Sequence, residues 1–426
     1  MQPSKRAQLA IFLTVFVDLL GFGIVIPILP LYAKALAAHP SPWMEWVNRS
    51  FGFSDPGAAW AGVAMISFSL CQFIATPFLG RLSDLVGRRP VLWVSLMGAS
   101  ASYLIMAVTN HFEWVIGARV LGGLLGGNIS VAQAAMADTS APSERSKVLG
   151  MIGAAFGLGF VLGPALAGIL SGSAAGKHLL AVHGWYLPFF VASGLSLGAS
   201  LLVVVWLPET LTAAARAHAH KVESRGHALV RALKRPGMPQ IFLISLLAMT
   251  GFAMMEGTYS LLANARFGFG PAKVGLLFCF IGILIVLYQG GLVRVVARRV
   301  PERAALVAGL VFMVAALPFI PYAPWQWPFL LVMVPLAWGS GMSSTATSAL
   351  ASQITPRDEQ GGLFGVLNAT SGIGRIIGPL VGTLTFARFG YASPYWVAFG
   401  SMVLALGLGL TLPRAAQVRV EEEEAI

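Results

Sequence analysis

Charged residues are scarce in this chain of 426 residues: 11% are Asp, Glu, Lys or Arg, whereas 57% are hydrophobic and the mean hydropathy is +0.77. An ordinary soluble protein carries about 25% charged residues, so the composition excludes a soluble enzyme of this length. Cysteine is also rare. Cys71 and Cys279 lie in apolar stretches, where we expect small buried side chains rather than a disulfide or a metal pair.

Motifs for nucleotide and metal chemistry are missing. No P-loop sequence occurs, which disfavours ATP-driven transport. No cluster of metal ligands and no nucleophile–base set is visible, and the seven histidines fall mostly in loops. We therefore expect neither an enzyme nor a cofactor or metal site.

Apolar runs of about 20 to 30 residues dominate the chain, long enough to cross roughly 30 Å of hydrocarbon. They predict an all-α membrane protein with twelve transmembrane helices in two pseudo-symmetric six-helix bundles, 1–206 and 238–412, with a cytoplasmic linker 207–237 and an acidic cytoplasmic tail 413–426. Span ten contains Gly339, Gly341 and a Ser/Thr cluster, where we expect an interruption. The spans, numbered one to twelve, are 8–36, 58–79, 90–109, 113–138, 147–171, 183–206, 238–264, 271–293, 304–321, 326–353, 361–386 and 391–412.

Positive charge falls between the spans. The net charge is +11, and with the N-terminus inside about 20 of the 28 Lys and Arg residues lie in inner segments and about 6 in outer ones. This asymmetry favours a cell (inner) membrane protein with both termini cytoplasmic over a nucleic-acid-binding protein. Span one exceeds a signal-peptide core and contains Asp18, so we expect it to be retained. Segment 211–234 fits an amphipathic surface helix or a plain basic linker, and Glu421–Glu424 fits a solvated tail.

Two sequence patterns recur about 210 residues apart. Gly80–Arg89 matches Gly290–Arg299 in the first glycine, a leucine and the paired arginines, and Gly157–Pro164 recurs as Gly372–Pro379 at an offset of 215. Two related halves in an apolar chain are typical of a transporter whose substrate site lies between the halves.

The first copy predicts a latch on the cytoplasmic side. Its glycines allow two helices to reverse within a few residues, and its central carboxylate can accept hydrogen bonds from the free N–H groups of a neighbouring helix. Its paired arginines can meet an acid at the inner end of span four, or lipid phosphates. A generic positive loop explains the arginines but not the second copy. The predicted latch consists of Gly80, Asp84, Gly87, Arg88, Arg89 and Asp138.

These motifs carry a family resemblance. GRLSDLVGRRPVL resembles the signature loop of the major facilitator superfamily between helices two and three. Gly163-Pro164 resembles the helix-five motif of its proton-coupled antiporters, Arg119 the helix-four motif, and Asp18 the helix-one motif of its twelve-helix drug:proton antiporters. Within that branch the chain looks most like the tetracycline-efflux type. The resemblance covers essentially the whole chain and implies antiport by two six-helix bundles.

Span five carries a row of small residues with a proline inside it. Small residues let a partner helix approach closely, and the proline bends the helix. Ordinary tight packing is one explanation. The other is that spans five and eleven line the seam between the halves, which the resemblance links to leak-resistant antiport. The predicted helix-five seam consists of Gly159, Gly163, Pro164 and Gly168.

Four ionisable residues, Asp18, Arg119, Glu256 and Arg375, fall well inside spans, where facing lipid would cost several kcal/mol. Asp18 lies roughly 15 Å into span one and Arg119 roughly 9 Å into span four from the opposite side, so their depths permit a pair. Such a pair can load and release a proton or can be a permanent structural ion pair. Glu256 is the second candidate. We predict proton coupling through Asp18, Arg119 and Glu256.

Polar side chains at mid-depth predict a mainly apolar binding pocket with few hydrogen-bonding groups. Span nine has no acid and span eight has no histidine, whereas the tetracycline-efflux resemblance implies such groups in the second half, so tetracycline itself is in doubt. The predicted substrate-binding residues are Asn128, Gln133, Tyr259, Gln289, Trp338, Asn368 and Arg375.

Together these observations predict a monomeric secondary transporter that exports a small amphipathic or drug-like compound in exchange for protons. Its expected partners are a small-molecule substrate, protons and the lipid bilayer, and no nucleic acid. Proton-coupled uptake of a sugar or an organic anion is the rival within the class. A transport-dead membrane receptor or scaffold is the rival outside it.

Overall fold

The computed structural model describes residues 3–140, 145–173, 186–211, 235–356 and 359–412, and within these ranges the regular structure is helical throughout. Most of the predicted linker and the whole predicted tail lie outside the described residues. Spans one to six occupy the helices Pro3–Leu36, Pro56–Val86, Arg88–Val108, Phe112–Leu125 with Asn128–Asp138, Arg145–Gly172 and Tyr186–Trp206.

The second half contains more interrupted helices than the first among the described residues. Spans seven and eight are Met238–Phe267 and Pro271–Leu287, the latter continued by the π-helix Tyr288–Leu292 and by Val293–Arg299. Spans nine to twelve are Glu302–Ala316 with the 3₁₀ turn Leu317–Tyr322, Gln326–Leu331 with Met333–Gln353, Gln360–Phe389, and Ser393–Thr411.

Eleven helical stretches in the described ranges are long and apolar enough to cross a membrane. Span eleven, a helix of 30 residues, is not among them because Asn368, Thr370, Ser371 and Arg375 lower its hydropathy. Two of them, Asn368 and Arg375, are among the predicted substrate-binding residues.

The loop predicted at Gly80–Arg89 is largely helical, which corrects its predicted conformation. Span two continues to Val86, so Gly80 lies inside a helix rather than at a turn. The reversal occurs at Gly87 alone, whose φ of 112° is a conformation that side-chain-bearing residues rarely adopt. Span three then begins at Arg88.

Two other boundaries differ from the predicted ones. Span ten is interrupted at Val332, and Gly339 and Gly341 lie within the continuous helix Met333–Gln353. There Gly339 and Gly341 are packing sites: a Cβ on Gly339 would lie 2.5 Å from the Gly309 carbonyl oxygen. An additional helix, Pro42–Phe51, lies between spans one and two.

The chain divides into two compact units, Met1–Lys221 with Ala263–Gly282, and Val222–Leu262 with Ile283–Ile426. The end of span seven and most of span eight therefore group with the first six spans. The core of the first unit is aliphatic, with Ile11, Leu92 and Val131 among its fully buried residues.

Candidate functional site

Span four is broken at Gly126 and Gly127, and the break places Asn128 beside Asp18. The helix ends at Leu125 and resumes at Asn128, while the free carbonyl of Gly126 accepts a hydrogen bond from Gln72 Nε2 at 2.8 Å. Asn128 is buried, and its side chain hydrogen-bonds the carboxylate of the half-buried Asp18. A residue predicted for coupling and one predicted for substrate binding thus lie together.

Arg119 is buried but does not pair with Asp18. Its Nε donates to the Ala64 carbonyl oxygen at 3.2 Å, and its guanidinium lies 4.2 Å from the centre of the Phe68 ring. Among the described residues no nitrogen–oxygen contact within 4.0 Å joins Arg119 to Asp18. The predicted ion pair is therefore absent, because equal depth does not decide in which direction each side chain points.

Tyr103, which sequence reasoning missed, lies within electrostatic range of both charges. It is 5% exposed on span three and interacts electrostatically with both Asp18 and Arg119. Its ring lies against Gly21 of span one, one turn from Asp18. A tyrosine at mid-depth of an apolar span is a weak signal by itself, so only the fold assigns it to this cluster.

Glu256 has a charged neighbour that its own sequence surroundings do not reveal. Glu256 is half-buried on span seven, and the charge of Arg375, on span eleven, acts on it. The two form no ion pair within 4.0 Å in the described part of the second unit. The second unit therefore contains an intramembrane acid and an arginine that interact without direct contact.

The predicted latch has Arg88 at its centre. Its guanidinium contacts Asp84 Oδ1 at 2.6 Å and Asp138 Oδ2 at 3.1 Å, and it also donates to Ser83 Oγ at 2.6 Å. The Arg88 side chain is 9% exposed. Arg89 instead donates to the carbonyl oxygen of Val204. Arg88 thus joins the ends of spans two and four at the start of span three.

Glu209, just after span six, was missed by the sequence interpretation. Its carboxylate accepts from the backbone N–H of Arg88 at 2.9 Å and of Arg89 at 3.2 Å. It therefore plays the role predicted for Asp84, satisfying the free N–H groups at the start of span three. An acid directly after an inner span end was the available signal.

The predicted helix-five seam makes close contacts with neighbouring helices of the first unit. A Cβ on Gly159 would lie 2.7 Å from Leu19 Cβ, and one on Gly163 would lie 2.6 Å from Gly23 Cα. Pro164 and Gly168 face the first half of span eight, since a Cβ on Gly275 would meet the Pro164 carbonyl oxygen at 2.7 Å. Span five therefore packs closely against both span one and span eight.

The second unit repeats this arrangement. A Cβ on Gly374 would lie 2.9 Å from Met249 Cβ, and one on Gly378 would lie 2.6 Å from the Thr250 carbonyl oxygen of span seven. The repeated glycine motif thus makes the same contact in each half, span five on span one and span eleven on span seven.

The other predicted substrate-binding residues have different surroundings. Gln133, Gln289 and Asn368 are exposed, as is Arg375, and Trp338 is half-buried with an Nε1 that has no hydrogen-bond partner in the described part of the chain. Tyr259 departs from the prediction. It is fully buried and its ring stacks on Phe329 at 4.6 Å, so packing rather than substrate contact explains it.

Comparison with known proteins finds one family model and several similar proteins that match nearly the whole chain. The family model of the Major Facilitator Superfamily matches residues 11–336 and 292–425. The class B tetracycline resistance protein of Escherichia coli is 29% identical over 100% of both chains, and the class C protein of Escherichia coli is 31% identical over 90% of each.

Solved structures show the same fold. The human organic anion transporter MFSD10 (TETRAN) is 25% identical, with a TM-score of 0.69 over 96% of this chain and 100% of that one. A bacterial homolog of the human lysosomal transporter Spinster aligns with a TM-score of 0.73 over 99% of this chain and 98% of that one; at 13% identity this shows the fold alone.

Proposed function

Since this chain belongs to the major facilitator superfamily, we propose that it exports a small amphipathic or drug-like organic compound in exchange for protons by alternating access. Membership makes it a multi-pass membrane transporter rather than an enzyme. The observation that carries the proton-coupling part is that Asp18 lies inside span one beside Asn128, with no ion pair to Arg119 among the described residues.

Asp18 has surroundings that suit a change of protonation. The alternative of a permanent ion pair requires a direct contact with Arg119, which the described residues lack. The amide of Asn128 donates to a carboxylate through its nitrogen and accepts from a carboxylic acid through its oxygen, so it can hydrogen-bond both forms. Asp18 can therefore bind and release a proton without losing its partner.

Glu256 is the corresponding acid of the second unit. Arg375 attracts Glu256 electrostatically but forms no direct ion pair with it among the described residues. Glu256 can therefore also change its protonation state. Ionisable groups within spans are costly and mark ion or substrate pathways. We assign proton coupling to Asp18 and Glu256, with Arg119 as a buried positive charge of the first unit.

The latch and the helix-five seam act in the change between transport states. Arg88, joined to Asp84 and Asp138, holds the ends of spans two and four in one of the transport states. The glycine contacts of spans five and eleven leave no room for water along those helix pairs. We further propose that both termini are cytoplasmic, which puts this latch on the inner side.

The exposed polar side chains among the predicted binding residues indicate the class of substrate. Gln133, Gln289 and Asn368 offer exposed amides. A few such groups within apolar surroundings suit an amphipathic compound. The tetracycline resistance relatives support a drug-like substrate, although residues 304–321 contain no acid and span eight contains no histidine.

An organic anion is the second candidate. The side chain of Arg375 is exposed, and no acid of the described ranges forms an ion pair with it. Its guanidinium can therefore bind a carboxylate through two parallel hydrogen bonds. The relative with the solved structure is described as an organic anion transporter. Arg375→Gln would abolish transport of an anion and spare that of a neutral or cationic compound.

Everted membrane vesicles test the proposed export. A panel of toxic compounds first identifies one to which expression of the chain gives resistance. We expect an imposed acid-inside gradient to drive that compound into vesicles, and Asp18→Asn or Glu256→Gln to abolish the uptake. Glu45→Gln, which changes an exposed acid outside the spans, is the matched control and should leave uptake unchanged.

Two results would contradict the proposal. No gradient-driven entry of any compound from the panel would refute export, and entry under the opposite gradient would favour uptake into cells. A receptor or scaffold would show no substrate-dependent proton release by the purified protein in detergent. We expect such release, and its loss in Asp18→Asn.

A further inference from the structure

The helix Pro42–Phe51, here called the surface helix, is held at one face of the membrane. Five residues separate it from the end of span one at Leu36, and four separate it from the start of span two at Pro56. Connections of that length reach at most roughly 20 Å. Since both spans end at a bilayer surface, the surface helix must lie near that surface.

Specific contacts fix which side of the surface helix faces the protein. Met44 is 1% exposed, and Asn48 Oδ1 accepts from the indole N–H of Trp60, on span two, at 3.0 Å. Trp43 packs edge-on against Trp60 with ring centres 5.0 Å apart and donates to Glu113 Oε1, at the start of span four, at 3.0 Å. The surface helix therefore cannot rotate freely about its axis.

With that side fixed, the remaining surface divides into two edges. At about 100° per residue, Glu45 and Arg49 form a charged edge, and they are ion-paired at 2.9 Å. Trp46 lies on the other edge, 69% exposed, next to Trp43, which is 47% exposed beside its contact with Trp60. The side that faces the protein, the charged edge and the aromatic edge are thus separated from one another by roughly 120° around the helix axis.

We infer that the surface helix lies in the membrane interface, with its Trp46 edge among the lipid headgroups and upper acyl chains and its Arg49 edge in water. A helix beside a transmembrane bundle has protein on one side, water above and lipid below, and the three edges match these surroundings in order. Tryptophan is enriched at membrane interfaces because its ring is apolar and its N–H is polar. This inference does not depend on the transported compound.

The partner of the aromatic edge is therefore lipid rather than another protein. The surface helix is confined to the level of the headgroups by its connections, and any bilayer that surrounds the spans already meets its free edges there. Because the surface helix contacts spans two and four, it also holds the ends of those spans at the membrane interface.

Spin labelling in lipid nanodiscs tests this placement. Cys71→Ser and Cys279→Ser remove both native thiols, and Trp46→Cys and Arg49→Cys then introduce one nitroxide each in otherwise identical protein. Nanodiscs of phosphatidylcholine with phosphatidylglycerol supply the bilayer. Collision of the nitroxide with oxygen, which concentrates in lipid, is compared with its collision with a water-soluble nickel chelate.

We expect the ratio of oxygen to nickel collisions to be several-fold higher at position 46 than at position 49. Equal ratios dominated by nickel would put both edges in water and overturn the inference. Weak collision with both reagents at position 46 would place that edge against protein, which would also overturn it. Both positions are exposed, so neither label is expected to prevent folding, and matching elution on gel filtration checks this.

Discussion

The contact between spans one and five predicts that a single added methyl group at Gly163 disrupts transport. In Gly163→Ala the new Cβ would lie 2.6 Å from Gly23 Cα, whereas ordinary van der Waals contact begins at 3.4 Å. The neighbouring atoms are backbone and cannot rotate away. The two helices must therefore separate by about 0.8 Å, the difference between those two distances.

The expected cost follows from this geometry. Overpacking a close contact costs about 1–3 kcal/mol of unfolding free energy. Gly153→Ala is the matched control, since Gly153 lies on span five and a Cβ there meets nothing within 4 Å. Alanine favours a helix over glycine at both positions, so the difference between the two variants isolates the packing term.

Two measurements decide the outcome. Unfolding of the purified protein by SDS should require less detergent for Gly163→Ala than for Gly153→Ala, and the initial rate of gradient-driven uptake should fall only for Gly163→Ala. Asp18 lies on span one beside this contact, so a separation of that size also displaces the proposed coupling group. Equal behaviour of the two variants would show that the close contact is not required.

The remaining predictions concern the latch and the second unit. Arg88→Ala should lower the unfolding free energy by about 1–3 kcal/mol, because two acids lose their shared partner, whereas Arg81→Ala, at an exposed position, should change it by less than about 0.5 kcal/mol. Glu209→Gln should cost about 1 kcal/mol and speed amide exchange in the first turn of span three; unchanged exchange would contradict the capping role. Gly378→Ala should impair transport as Gly163→Ala does, with Gly365→Ala, which meets nothing within 4 Å, as its control.

Features that depend on local sequence were predicted well. Hydrophobic length located the spans to within a few residues at most ends, since crossing a bilayer needs a helix of a certain length whatever its neighbours are. The proximity of Arg88 to Asp138 also followed, because both terminate spans at the same membrane surface. The repeated glycine motifs predicted close helix contacts, and the structure shows them in both halves.

Features that depend on helix rotation were not predictable. Asp18 and Arg119 have compatible depths, but Arg119 turns toward Ala64 and Phe68, and Asp18 toward Asn128. The break at Gly126 redirects the second part of span four, and periodicity gives no sign of it.

What this sequence by itself determined is membership of a transporter family, the order and length of its spans, and which ionisable residues lie within them, because hydrophobic length and motif order are properties of the linear chain. Only the tertiary structure decided which side chains meet. It placed the Tyr103 ring against Gly21, gave Glu209 the role expected of Asp84, and set Arg375 within electrostatic range of Glu256. Those contacts depend on the rotation of each helix about its axis, which the packing of its neighbours decides.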